Sequence, residues 1–162
     1  TIDIDDTKLI HFPNGLIGFP EATLFALLET APGRTVAYLQ SLQNPALAFP
    51  VIDGGTFGAE YPPPAAFELA AAAGIDAASA AVLIVVATAG AGNRPTLVAN
   101  LLAPVIIDSR GRHGAQVVLD PTCYSASFTI ESTIPRRSAQ EQSPTRETTV
   151  NHETAALQTL DV

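Results

Sequence analysis

The apolar residues of this chain fall in short runs separated by turn residues. The stretch 98–119 sets the pattern. Leu101-Leu102-Ala103 leads through Pro104 into Val105-Ile106-Ile107, and Ala115-Gln116-Val117-Val118-Leu119 follows. Between them lies Asp108-Ser109-Arg110-Gly111-Arg112-His113-Gly114. β-Branched runs parted by Asp, Ser and Gly read as two strands joined by a tight connection. Asn100 and Asp108 stand at the two ends of the first run, where polar groups need partners.

The same reading gives the rest of the chain. Thr1 to Asp6 alternates Ile2 and Ile4 with polar residues, the period of a half-buried strand. Leu9 to Phe12 is a short apolar run, and Pro13-Asn14-Gly15 is a turn. Leu16 to Pro20 carries Gly18 and Pro20 and reads as a rigid apolar loop. Strands are expected at Leu24–Leu28, Val36–Leu39 and Leu47–Ile52, the last closed by Asp53-Gly54-Gly55. Pro62-Pro63-Pro64 excludes both a helix interior and a ladder strand. Ala65 to Ala73 is the best helix, alanine-rich and ended by Gly74, and Asp76 suits a cap of a further short turn. Ala81 to Thr88, which contains Val82 to Val86, is too branched for a helix and suits a buried central strand. Thr96–Ala99, Pro104–Asp108, Ala115–Leu119 and Tyr124–Ile130 complete about nine strands, against one clear helix. That count predicts an all-β single domain, a small closed or partly open β-barrel-like fold with one or two short helices.

Composition sharpens this picture at the ends. Arg136 to Val162 has no aromatic residue, and its longer apolar residues are Val150, Leu157, Leu160 and Val162. Such a segment buries too little to offset its ordering entropy. The expected organisation is a domain over 1–134 and a polar, disordered tail over 135–162, with a transient helix near Glu153–Leu160. There is no apolar run long enough for a membrane span. Thr1 opens an acidic segment, unlike a signal peptide, and the single cysteine, Cys123, has no internal disulfide partner. A cytoplasmic protein is the expectation. A net charge of −8 and a single lysine, Lys8, argue against direct nucleic-acid binding. Acidic charge would instead steer a basic partner to the surface.

Candidate chemistry is sparse. His11, His113 and His152 are scattered, whereas a metal site needs converging ligands. Cys123 has no base placed beside it by sequence and reads as a buried free cysteine. His11 reads as a strand residue and His113 as a turn residue. Gly90-Ala91-Gly92 lacks the third glycine and following helix of a dinucleotide site. Asp53 reads as the cap of a turn, or as a rim position in a partner groove. Asp108, Arg110 and Arg112 read as a solvated hairpin tip, or as a contact for an acidic partner. No catalytic residue, metal or cofactor is expected. A small-molecule site or enzyme using a barrel interior is the rival class.

The ordered series of motifs resembles the flagellar assembly factor FliW family. It begins at Ile10-His11-Phe12-Pro13-Asn14-Gly15-Leu16-Ile17-Gly18-Phe19-Pro20 and continues at Phe25–Leu28, Leu39-Gln40-Ser41 and Ala48–Asp53. It is strongest at Ala99-Asn100-Leu101-Leu102-Ala103-Pro104-Val105-Ile106-Ile107-Asp108, followed by Gly114–Leu119 and Tyr124. The resemblance spans Thr1 to about Ile130. It implies a β-barrel-like fold without catalysis and two protein partners. These are flagellin, held before secretion, and CsrA, an RNA-binding translational repressor whose block on flagellin synthesis is relieved. Phe19, Phe49, Asp53, Asn100, Asp108, Arg112 and Tyr124 are the partner-binding residues it suggests. A free monomer is expected.

Overall fold

The computed structural model describes residues 9–31, 33–90 and 96–130. Nine strands form the sheet: β1 (Leu9–His11), β2 (Leu24–Glu29), β3 (Val36–Ser41), β4 (Ala48–Asp53), β5 (Ala80–Ala89), β6 (Thr96–Ala99), β7 (Val105–Asp108), β8 (His113–Gln116) and β9 (Phe128–Ile130). Among the described residues one α-helix, α1 (Pro64–Ala72), lies between β4 and β5, with short 3₁₀ turns at Gly54–Phe57 and Ala77–Ser79.

The pairing runs β4–β3–β2–β1–β8–β7–β5, and β5 pairs back to β4, so the sheet nearly closes on itself. The seam is β1 with β8. They run parallel and meet at one register pair, His11 opposite His113, with the His11 N–H donating to the Arg112 carbonyl at 2.9 Å. The other adjacent strands are antiparallel. The expected all-β class is therefore what the chain adopts, as an irregular ring and not a regular barrel. β6 and β9 extend the sheet from the far end of β5.

β5 explains its own apolar run. Leu83 and Val85 face one core, with Phe12, Phe25, Leu39, Val51, Val105 and Ile107. Val82, Ile84 and Val86 face a second core, built with Ile52, Ile106, Tyr61 and the Ala66 and Ala70 face of α1. Both faces of the strand are covered, so the usual polar alternation is absent. β4 and β7 split in the same way, Val51 against Ile52 and Val105 against Ile106. Ala66 and Ala70 bring the inner stripe of α1 into this second core, where alanine adds helix propensity without bulk.

Particular expectations need correction. Ala115–Leu119 is a strand only to Gln116. Beyond it Val117 and Leu119 donate to the carbonyls of Pro104 and Leu102, which belong to an irregular loop and not to a strand. Of Tyr124–Ile130 only Phe128–Ile130 is strand, because Tyr124 closes a turn on the Asp120 carbonyl at 3.0 Å. His113 opens β8 and is no turn residue, and Cys123 is exposed, not buried. The Asp108 tip is only partly solvated: Asp108 is buried while Arg110 and Arg112 are exposed. The expected strand at Thr1–Asp6 and the expected tail from 135 fall outside the described residues.

Candidate functional site

Between β6 and β7 the chain leaves its partner strand. Ala99 faces Val86 and Val105 faces Leu83, and Asn100 to Pro104 loop out between them. The loop is held on several sides. The Asn100 N–H donates to the Val85 carbonyl at 2.9 Å, and Asn100 Oδ1 accepts the Ala103 N–H at 3.0 Å. Leu101 and Leu102 both donate to the Ser125 carbonyl. The buried Tyr61 hydroxyl donates to the Leu101 carbonyl at 3.0 Å. Burial, and then the neighbouring Tyr124 phenol, push the Tyr61 pKa well above its ordinary value. Tyr61 therefore stays a neutral donor and fixes the loop from behind.

A second loop faces this one. Leu16 and Phe19 bridge to each other, with Phe19 N–H to Leu16 O at 2.7 Å, and lift Ile17 outward. Gly15 makes this possible: its φ is +63°, and a Cβ there would collide with the Phe19 carbonyl oxygen. Gln116 ties the two loops together. Its Oε1 accepts the Ile17 N–H at 2.8 Å, and its Nε2 donates to the Ala103 carbonyl at 3.0 Å.

The hollow between the loops is an open groove of about 400 Å³. Leu16, Ile17, Phe49, Val85, Leu102 and Val118 give it apolar walls, Ala103 and Ala126 add small surfaces, and Asn100 and Gln116 supply amides. No lining residue is charged. Ile17 is 59% exposed and Val118 55%, so two large aliphatic side chains stand uncovered on its rim. Ile17 also borders a second hollow of about 390 Å³ that runs past Asn14, Ala73 and Gly114.

The residues picked out by sequence separate into three places. Phe49 and Asn100 line the groove, and Phe19 packs edge-on against Phe49 with ring centroids 5.4 Å apart. Tyr124 lies behind the loop, edge-on to Tyr61 at 5.9 Å. Asp53 is exposed and caps the 3₁₀ turn after β4, accepting the Gly55 N–H at 2.7 Å. Asp108 and Arg112 belong to the β7–β8 turn. Asp108 Oδ1 accepts from Ser79 Oγ at 2.7 Å, Arg110 N–H at 2.9 Å and Gly111 N–H at 3.0 Å. These bonds, Gly111 first, hold its carboxyl down to about 2, with His113 Nδ1 at 3.9 Å adding to the effect. Arg112 is exposed and takes a positive φ of 57°. Sequence reasoning missed Ile17, Gln116 and Val118. For Ile17 and Val118 the only signal was an aliphatic residue at a loop tip or just past a strand end, and Gln116, the last residue of β8, gave none.

Among the described residues, no group of three or more His, Cys, Asp or Glu side chains is placed to hold a metal ion. No helix is long and apolar enough to cross a membrane. The chain is thus a nearly closed β-ring carrying an open, uncharged groove, and comparison with known proteins gives its family. The chain belongs to the FliW family: the family described as FliW protein matches residues 1–130. It is 35% identical over 129 residues to the flagellar assembly factor FliW of Heliobacterium modesticaldum, covering 80% of this chain and 84% of the relative. The flagellar assembly factor FliW of Natranaerobius thermophilus is 34% identical over 129 residues, covering 80% and 85%. A crystal structure described as the flagellar assembly factor FliW superposes with a TM-score of 0.62 at 26% identity, over 81% of this chain and 92% of that one.

Proposed function

We propose that this chain is a non-enzymatic, cytoplasmic flagellar assembly factor that binds flagellin and, when free of it, antagonises CsrA. The observation that carries the reading is the groove. Its walls are apolar and uncharged, its rim holds Ile17 and Val118 uncovered, and its size suits the apolar face of one amphipathic helix. A flagellin segment of that kind would set side chains spaced three and four apart against Phe49, Val85 and Leu102. The net charge of −8 suits the second partner, since an acidic surface complements a basic RNA-binding protein. Phe19, Phe49 and Asn100 take the partner-binding role directly. Tyr124 supports it through the loop. Asp53, Asp108 and Arg112 would serve a second surface.

Interior ligand chemistry gains little support. Phe12, Phe25, Leu39, Val51 and Val105 fill the ring and are fully buried. The test is titration calorimetry of the full chain against flagellin, and against CsrA with and without flagellin. Binding of both partners, with CsrA excluded by flagellin, supports the switch. Heat from neither partner overturns it. Ile17→Ser with Val118→Ser should abolish flagellin binding if the groove is its seat.

A further inference from the structure

We propose that the open main-chain edge at Gln116–Val118 takes an extended, uncharged segment of a partner protein as an added strand. The edge arises because β1 stays beside β8 for one register pair, His11 with His113. At Phe12 the chain turns its N–H away from β8, to the Thr23 carbonyl at 2.8 Å. The β8 chain runs on without it. Gln116 lies opposite Val105, and Val117 and Leu119 donate to the Pro104 and Leu102 carbonyls at 3.1 and 2.8 Å. Successive residues of an extended chain point their main-chain groups to opposite sides. The N–H and C=O of Gln116 and Val118 therefore point away from β7 and the 101–104 loop. Among the described residues neither group of Val118 has a main-chain partner.

An edge of this kind is a template for another strand, and folded proteins guard it with charge, proline or a covering element. The stretch Gly114–Leu119 carries neither a charged residue nor a proline. It runs from the second hollow, lined by Gly114, Ala115 and Gln116, to the groove, lined by Gln116 and Val118. Neither hollow has a charged lining residue. A charge carried into either would lose water without gaining a counter-ion, so the segment that fits is uncharged. A helix laid on Phe49, Val85 and Leu102 keeps its own main-chain bonds and leaves this edge unpaired. An extended segment answers Gln116 and Val118, with main-chain bonds for affinity and alternate side chains for selection. The inference goes beyond the groove reading and does not need flagellin or CsrA as the partner.

The probe is a short end-capped peptide of alternating valine and threonine, titrated into the isotope-labelled full chain and followed by amide hydrogen exchange. Two further peptides carry N-methyl groups on alternate residues, one on each set. Each removes the donors along one edge of the added strand and leaves the side chains in place. At saturating peptide the Val118 amide should exchange about tenfold or more slowly. One methylated peptide should bind about tenfold or more weakly, and the other as the parent does. Equal weakening by both, or by neither, overturns the proposal, as does the absence of binding at millimolar peptide. Slow exchange of Val118 in the free chain also overturns it. If that protection survives dilution the chain covers its own edge, and if it is lost on dilution a second copy does. Ile17→Ser with Val118→Ser leaves every main-chain donor in place. Flagellin binding can therefore fail in the calorimeter while peptide pairing stands, and the reverse.

Discussion

The β7–β8 turn and the groove are both built from polar loop residues beside apolar strands, yet they end in opposite states. In the turn every demand is met internally. Three donors converge on Asp108 Oδ1, Ser109 Oγ donates to the Ser79 carbonyl at 2.8 Å, and His113 Nε2 lies 3.1 Å from the Gly74 carbonyl. The turn thereby pins the 3₁₀ segment Ala77–Ser79 and the end of α1 to the sheet. In the groove Gln116 and the Asn100 Oδ1 are likewise bonded to backbone, but the Ile17 and Val118 side chains are not covered. A polar cluster that closes on itself makes structure. A polar frame that holds apolar groups apart leaves a surface unfinished, and that is where a partner gains by covering it.

Substitutions should break this contrast in a graded order. Phe12→Ala comes first. The ring is fully buried beneath the β8 seam, edge-on to Phe25 at 5.4 Å, and its loss should cost about 3–5 kcal/mol in denaturant unfolding. A cost below about 1 kcal/mol would mean that the seam is not packed. Gly114→Val follows, because a Cβ there meets the Phe12 ring at 2.6 Å; overpacking of this kind costs about 1–3 kcal/mol, readable as a lowered urea midpoint. Asp108→Asn should destabilise more than Asp53→Asn, since the first carboxylate gathers three donors and the second one. Equal midpoints for the two variants would place the weight of the turn elsewhere.

Acid titration sharpens the same point. The folded Asp108 pKa of about 2 lies below its unfolded value of about 4, so its contribution is fully present above pH 4. It falls away as pH drops towards 2. The stability gap between the native chain and Asp108→Asn should therefore close between about pH 4 and pH 2. A gap that stays constant across that window would show that the charge is not what the donors hold. The smallest effect on stability belongs to the groove rim. Ile17→Ser and Val118→Ser should each change stability by no more than about 0.5 kcal/mol, while removing partner binding in the titration above.

These differences also explain what could be seen in the sequence. Val82–Val86 announced a strand buried on both faces, and it is one, because a run of branched apolar residues has few other uses. The caps at Asp53 and Asp76 were legible for a local reason: a short acidic side chain reaches its own turn, here Gly55 and Ala78. The groove was not legible. Its walls come from six separated segments, and only Phe49 and Asn100 stood out, for their motif and not for their neighbours. The sequence pattern puts Val118 in a strand, and only the diversion of Val117 and Leu119 to the 101–104 loop leaves it facing solvent. Cys123 is exposed where a buried cysteine was expected for the same reason, since exposure at a turn is decided by what packs there and not by residue type.

The single parallel pairing of β1 with β8 has a consequence for how the protein is made. His11 must wait for His113, about a hundred residues later, before the ring can join. A chain emerging from the ribosome can assemble β2, β3 and β4 in sequence as neighbouring hairpins. It cannot join β1 to β8 until nearly the whole domain has been synthesised. Nascent chains halted before residue 113 should therefore keep Phe12 accessible to solvent, and the domain becomes protease-resistant late and all at once.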